Sequence, residues 1–547
     1  MRRTPGTRIR RWTQVDADPR KRLSLSAHWR PLQIQILGVA LWVFLCGFGC
    51  FAAELPNILW ISCEDISPDL GCYGDRYATT PSLDKLAAQG CRFTRAYVSF
   101  PVCAPSRASI ITGVQPGTLG AMHMRTQFRK YEAVPPPEVK VFTEYLRAAG
   151  YYCSNHTKTD YQFAVPFTAW DALQGDWRNP DRKPGQPFFS VINLTTTHES
   201  SCFKIKSVKH DPAKAPLPPF YPDTPGVREG VAWYYDRVEQ MDGEVDAILR
   251  KLREDGLDDN TVVFFWSDHG RGLPRYKRWP YETGLRVPLI VRWPGKLVPG
   301  SVNDELVCFT DLAPTVLSLA GIKAPEHMQG RVVLGKNKGP EPEYVFGGRN
   351  RMAIKDYIFI RTCRDKRFRY VRNFTPNVNY SQAIPYMEAS PILQEWRRLN
   401  AAGKLTGAQK LWFEQPKPDE ELYDTEADPF EVNNLAENAE YSDTLERMRA
   451  ALEQWMKDTR DLGGVPESEL IERFWPGHKQ PVTATPVIER TDDGTVTMSC
   501  ATPGASIGYR LRDNERWRIY TGPFVSQAAV HAKAIRLGYQ TSEATTN

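Results

Sequence analysis

Pro56-Asn57-Ile58-Leu59-Trp60-Ile61-Ser62 runs without a charge and gives way to Cys63-Glu64-Asp65. A short, nearly continuous apolar run of this kind suits a strand buried on both faces of a sheet. The same texture returns at Phe188 to Leu194, at Thr261-Val262-Val263-Phe264-Phe265-Trp266-Ser267, and at Val287 to Trp293. Segments of helical character lie between these runs. Thr80 to Gly90 carries Pro81 near its start and a glycine after its end, and Val141 to Ala149 stops at Gly150. Trp233 to Arg253 spaces apolar residues helically among Glu, Asp, Lys and Arg. Strands alternating with helices predict an α/β core on a largely parallel sheet.

Working outward, the alternation weakens beyond about Pro340. Tyr357 to Arg361 and Phe368 to Val371 read as short strands and residues 440–460 as one amphipathic helix, which predicts a smaller sheet with a packed helix. After a Pro-containing junction, Thr495 to Cys500, Ser506 to Leu511, Trp517 to Tyr520 and Val530 to Ile535 read as the strands of a small all-β unit. The expected organisation is a leader over 1–53, an α/β domain over 54–340, an α+β subdomain over 341–475 and an all-β unit over 480–547.

A chain of 547 residues with 41% hydrophobic and 24% charged residues can bury a large core, which excludes disordered, collagen-like and coiled-coil classes. The formal charge of +6 misleads. Residues 1–30 hold nine Lys/Arg against Asp16 and Asp18, and residues 31–53 hold no charge, so the chain from Glu54 onward is close to neutral. No nucleic-acid partner is expected. The apolar run from Ile36 to Ala53, preceded by that basic stretch and ended by small residues, has the layout of a secretory signal, so export to the periplasm or medium is expected. The alternative is an uncleaved anchor, the only route to a membrane partner, because the run is nearly long enough to span a bilayer. Cys46 and Cys50 fall in the leader, and the other cysteines of the 11 show no CxxC spacing, so zinc-ribbon and thioredoxin readings have no support. Some of those others could pair in an oxidising compartment.

Three constellations carry chemistry. Glu64-Asp65 follows the first strand directly, and Asp268-His269-Gly270 follows the third. Open α/β sheets place ligands at the carboxyl ends of their strands, so three carboxylates and an imidazole could converge on one cation. Hard oxygen donors favour Ca²⁺ or Mg²⁺. Either pair taken alone would equally serve as a helix cap or a surface ion pair. The third constellation, Phe100-Pro101-Val102-Cys103-Ala104-Pro105-Ser106-Arg107-Ala108-Ser109-Ile110-Ile111-Thr112-Gly113, sets Cys103 ahead of a predicted helix whose N-terminus suits an anion. A lone cysteine is otherwise commonly buried and inert.

The Cys103-x-Pro105-Ser106-Arg107-Ala108-Ser109-x-x-Thr112-Gly113 pattern, with acidic pairs before and after it, resembles the signature of the type I sulfatases. The resemblance runs from roughly Leu55 to Val465. It implies an alkaline-phosphatase-like α/β fold: a large mixed sheet flanked by helices, with a smaller C-terminal antiparallel sheet subdomain. It also implies one bound Ca²⁺, and conversion of Cys103 to formylglycine by a formylglycine-generating enzyme. Glu64, Asp65, Asp268 and His269 match the family's metal-ligand positions, and the modified Cys103 completes the shell. Arg107 matches the arginine that steadies the hydrated aldehyde. Lys158 matches the lysine after Gly150, His198 follows the second strand, and Lys277 matches the sulfate-binding lysine ahead of Tyr281-Glu282. The family chemistry then assigns attack on sulfur to one hydroxyl of the hydrated aldehyde, and release of sulfate to collapse through the other. Lys158, Lys277 and Arg107 would neutralise the sulfonyl oxygens, and His198 would protonate the leaving group.

Three departures stand out. Glu64 and His269 occupy positions where many relatives have Asp and Asn. The segment Thr157-Lys158-Thr159-Asp160-Tyr161 lacks a helper histidine, for which Asp160 or Tyr161 could substitute. The opening Ser62-x-Glu64-Asp65, the Lys158 segment and Arg364 to Asn373 look most like the N-sulfoglucosamine sulfohydrolase group, which implies sulfate esters or sulfamates of saccharides as substrates. Competing expectations are a phosphodiesterase or phosphonate hydrolase of the same fold, and a non-catalytic sulfoglycan-binding protein with unconverted Cys103. The tail from about 480 resembles the small β-sandwich at the C-terminus of some bacterial glycosidases, which implies an accessory role.

Overall fold

In the computed structural model, which describes residues 55–547, the first apolar run is β1 (Asn57–Cys63), every residue of it buried. The large sheet continues with β2 (Cys91–Tyr97), β3 (Tyr152–His156), β4 (Ala172–Leu173), β5 (Phe188–Leu194), β6 (Thr261–Ser267), β7 (Leu289–Arg292) and β8 (Ser301–Cys308). Their order across the sheet is β4-β3-β5-β1-β6-β7-β2-β8. All neighbours pair in parallel except β7, which runs antiparallel to both β6 and β2. The sheet is therefore mixed, with one reversed strand in an otherwise parallel array. The leader expected over residues 1–53 lies outside the described residues. Among the described residues no helix is long and apolar enough to cross a membrane.

The alternation of side chains along each strand divides the core in two. Leu59 and Ile61 of β1, with Val263 and Phe265 of β6, enter one cluster; Ile58 and Trp60, with Val262, Phe264 and Trp266, enter the other. Helix α1 (Pro81–Gln89) covers the first face. Helices α2 (Cys103–Thr112) and α3 (Phe142–Ala148) cover the second. The long α4 (Pro225–Glu254) covers the first face through Val231, Tyr234, Val238, Met241 and Val245, while α5 (Leu312–Leu319) joins the second. Strands β2, β3 and β8 gave no apolar run in the sequence. β2 is half-buried and alternating, β3 includes Ser154, Asn155 and His156, and β8 is polar along its first half at the sheet edge.

The second sheet consists of β9 (Val345–Arg349), β10 (Ile360–Arg364), β11 (Phe368–Asn373) and β12 (Glu420–Asp424), all antiparallel. A helix at Ser442–Asp458 packs on it through Met448 and Leu452 against Cys363, Tyr370 and Leu422, as the sequence led us to expect. The tail from Val487 forms two small antiparallel sheets whose buried residues, Val496, Met498, Ile507, Val530, Ala532 and Ala534, share one core. It is fastened to α3 by Ser506 Oγ, which donates to Glu144 Oε2 at 2.6 Å and accepts from Lys140 Nζ at 2.7 Å. All nine cysteines among the described residues are free.

Glu282 ties the second sheet to the first. Its carboxylate accepts from Arg364 Nε (3.0 Å), Arg369 Nη2 (2.6 Å) and Tyr97 Oη (2.8 Å), all buried. Removing one partner of a buried ion pair strands the other charge. Glu282→Ala should therefore lower the unfolding free energy by about 3–5 kcal/mol in chemical denaturation. A loss below about 1 kcal/mol would mean that Arg364 and Arg369 rehydrate freely, as exposed pairs do.

Candidate active site

Strand register brings the site together. Cys63, the last residue of β1, stands opposite Leu194 of β5 on one side and Ser267 of β6 on the other. The chain leaving each strand therefore departs from the same edge: Glu64-Asp65 from β1, Thr195 to Glu199 from β5, and Asp268-His269 from β6. On the far side of β5, β3 pairs His156 with Ile192, which delivers Lys158 to that edge as well. Helix α2 opens there too. Val102 provides no side-chain cap, and Ser106 Oγ donates to the Asp268 carbonyl at 2.6 Å.

Asp65, Cys103, Asp268 and His269 present ligand atoms that all lie within 4.8 Å of one another, and all four residues are buried. His269 Nε2 lies 3.0 Å from Asp65 Oδ1, 3.6 Å from Asp268 Oδ1 and 3.2 Å from Cys103 Sγ. Arg107, one turn along α2 from Cys103, donates through Nε to Asp268 Oδ2 (3.0 Å) and through Nη1 to Asn193 Oδ1 (2.7 Å). Its buried Nη2 has no hydrogen-bond partner and stands 3.6 Å from Glu64 Oε1. Glu64 is thus joined to the cluster through Arg107 and through an ion pair with Lys158. Lys277 Nζ bonds both oxygens of Asp65 (2.8 and 3.1 Å) and lies 3.0 Å from Glu199 Oε1. Of the two candidates for the missing helper histidine, Asp160 lies 3.6 Å from Lys158 Nζ, while Tyr161 is buried.

The loop that carries Asp268, His269 and Lys277 is folded tightly on itself. A Cβ on Gly270 would meet the Thr283 carbonyl at 2.1 Å, so the backbone there tolerates only glycine. Arg275 and Arg278 take left-handed conformations, and Asp65 does so at the end of β1. Strain of this kind persists only where surrounding contacts over-determine it.

The charges explain the ionisation states. Burial pulls the His269 imidazole down, but Asp268 and Asp65 beside it hold its pKa well above the ordinary value. Burial likewise raises the Cys103 thiol, yet Lys277 and Lys158 outweigh it and leave the thiol below its usual value. His198 is pulled down by burial and raised more strongly by Asp65 and by Cys103. Position 103 therefore favours negative charge. The cluster also suits a hard cation: two fully buried carboxylates and an imidazole share a few ångströms, and a dication could replace the proton that His269 otherwise holds.

Cys103, Lys158, His198 and Lys277 all line one cleft of about 1190 Å³. Of the five expected metal ligands, Asp65, Cys103, Asp268 and His269 form the buried group, whereas Glu64 stands outside it, paired with Arg107 and Lys158. Three others were missed. Asn193 accepts from Arg107 and from Ser62 Oγ (2.7 Å) and donates to the carbonyls of His156 (2.8 Å) and Lys158 (3.0 Å). Glu199 is clamped by Arg278 through bonds of 2.8 and 2.6 Å. A lone amide inside the apolar run from Phe188 to Leu194 was the available signal for Asn193. Nothing local marked Glu199 or Arg278.

Comparison with known proteins agrees with the geometry. The Sulfatase family model matches residues 56–322, and a second model, N-sulphoglucosamine sulphohydrolase, C-terminal, matches residues 275–373. An ulvan-active sulfatase of Formosa agariphila is 40% identical over 545 residues, covering 90% of this chain and 91% of the relative. The chain belongs to the sulfatase family. Human N-sulphoglucosamine sulphohydrolase is 27% identical to this sulfatase, over 79% of this chain and 97% of its own. A solved 2-O GAG sulfatase superposes with a TM-score of 0.58 at 20% identity, covering 75% of this chain and 93% of that one, and so shares the alkaline-phosphatase-like fold. Membership makes the protein a sulfuric ester hydrolase.

Asn193 offers a direct test of how this sulfatase supports its charged groups. Asn193→Ala should lower kcat roughly 10–100-fold by loosening Arg107 and the Lys158 segment. It should also cost about 1–3 kcal/mol of stability through the buried groups left unpaired. Full activity in the folded variant would mean that Asp268 alone holds Arg107.

Proposed function

We propose that this sulfatase hydrolyses sulfate esters or sulfamates of saccharides, using Cys103 as formylglycine and one Ca²⁺ held by Asp65, Asp268 and His269 with Glu64. The observation that carries the reading is the convergence of Cys103 with two buried carboxylates and an imidazole, where Cys103 opens onto a cleft that Lys158, His198 and Lys277 also line. The Cys103 thiol stands for the precursor of the aldehyde. When present, an aldehyde hydrate at this position would supply a hydroxyl nucleophile and the dication would lower its pKa. The chain's own groups do the rest. Lys158 and Lys277 bring two ammonium groups into the cleft, where they bind a sulfate and neutralise its oxygens in the transition state. Arg107 fixes Asp268 and presents its unpartnered Nη2. His198 holds a proton for the leaving oxygen, with its Nδ1 and Ser200 Oγ 2.8 Å apart. Saccharide substrates are supported by the likeness to a relative named for N-sulphoglucosamine. Cys103→Ala tests the nucleophile: it should abolish turnover with the fold intact, and retained activity would refute the mechanism.

Chelation should silence the enzyme, and Ca²⁺ should restore it better than Zn²⁺, because Asp65 and Asp268, with Glu64 and an oxygen in place of the Cys103 thiol, would leave His269 as the one nitrogen donor. Restoration by Zn²⁺ alone would contradict the metal assignment.

His198 should matter most where the leaving group is poor. A sugar hydroxyl needs a proton to depart, whereas an activated aryl sulfate departs as its phenolate. His198→Ala should therefore lose roughly 10²–10⁴-fold more kcat/KM on a sulfated sugar than on an aryl sulfate. Lys277→Ala should damage both alike, because both share the sulfate. Equal losses for His198→Ala would assign it to sulfate binding instead.

A further inference from the structure

The cleft is larger than its chemistry requires. Its volume of about 1190 Å³ exceeds the roughly 300–1,000 Å³ typical of small-ligand pockets, so it has room beyond the sugar that carries the reacting sulfate. Its cations fall into two groups. Lys158 and Lys277 are already matched to carboxylates, at Glu64 and Asp160 and at Asp65 and Glu199. Arg125, Arg129 and Lys355 line the same cleft, are exposed, and make no ion pair among the described residues. Among the described residues, the Arg125 side chain donates only to the carbonyl of its neighbour Met124, at 2.7 Å. Glu132, the acid nearest to Arg125 and Arg129 in sequence, accepts through Oε2 from the Ala164 amide at 2.8 Å, and Asp356 beside Lys355 is paired with Arg349 at 2.7 Å. The wall also carries Tyr386, 49% exposed, its ring set edge-on to Phe203 at 5.3 Å and tilted to His198 at 6.2 Å. An exposed aromatic face with a fixed orientation suits the apolar face of a pyranose.

We propose that the outer cleft is a second-sugar subsite: Tyr386 stacks on the sugar next to the one being desulfated, and Arg125, Arg129 and Lys355 recognise an anionic group on it, a carboxylate or a second sulfate. The proposal rests on the saccharide reading above and adds to it that the substrate is an acidic oligosaccharide rather than an isolated sulfated sugar. The three cations line one solvent-open cleft without an ion-pair partner among the described residues, so their charge is available to an anion. Guanidinium groups match both carboxylate and sulfate geometry.

The test is binding to the Cys103→Ala protein, which separates recognition from turnover. Three sulfated disaccharides serve as probes: one with a uronate neighbour, the same compound with its carboxyl reduced to an alcohol, and one with a second sulfate in place of the carboxylate. At low salt, calorimetry should show the carboxyl-reduced form binding roughly tenfold more weakly than one or both anionic forms, and which of them gains identifies the anion. Adding Arg125→Ala, Arg129→Ala and Lys355→Ala together should erase that difference, and raised salt should shrink it. Equal binding of all three probes, or a difference that survives the triple substitution, would overturn the subsite. Failure of the unsubstituted enzyme to release sulfate from any sugar, with aryl sulfate still turned over, would instead overturn the saccharide reading.

Discussion

Two carboxylates, Asp65 and Asp268, are entirely out of water at the ends of adjacent strands. Buried anions are tolerated only when they are paired and hydrogen-bonded, and this requirement organises the molecule around them. Arg107 reaches Asp268 from a helix on one face of the sheet, Lys277 reaches Asp65 from a loop, and His269 lies against both. The loop from Asp268 to Glu282 can fold tightly enough to bring Lys277 back only because Gly270 and Gly284 admit backbone contact. Glu282, at the end of that loop, then fixes the second sheet through Arg364 and Arg369. The C-terminal sheet subdomain is thus tied to the segment that carries Lys277 rather than merely appended to the large sheet.

Legibility followed the physics of burial. β1, β5, β6 and β7 could be read because a strand enclosed on both faces carries few polar residues, and α1, α3 and most of α4 because their ends or apolar stripes are marked; α5, buried along nearly its whole length, went unread. β2, β3 and β8 could not be read, because half-burial, polar composition and an edge position remove that contrast. The reversal of β7 was equally hidden, since an apolar strand reads the same in either direction. The smaller antiparallel sheets expected after Pro340 are present, although β12 and the helix at Pro391–Ala401 went unread.

The site was more legible than the fold around it. The residues of the Cys103 pattern and the two acidic pairs are adjacent in sequence because each group leaves one strand or opens one helix. Asn193, Glu199 and Arg278 act across the chain, through hydrogen bonds spanning 86 residues from Arg107 to Asn193 and 79 from Arg278 to Glu199. Partnerships of that range leave no local trace. Their function is to hold charged groups in place, which tertiary packing reveals and a motif does not.

The central claim is that position 103 works as an aldehyde and not as a thiol. The direct measurement is mass spectrometry of the peptide carrying Cys103, taken from protein produced together with a formylglycine-generating enzyme. The account predicts a peptide in which the thiol has been replaced by an aldehyde, its abundance tracking specific activity across preparations. A peptide that retains an unmodified cysteine in fully active enzyme would contradict it.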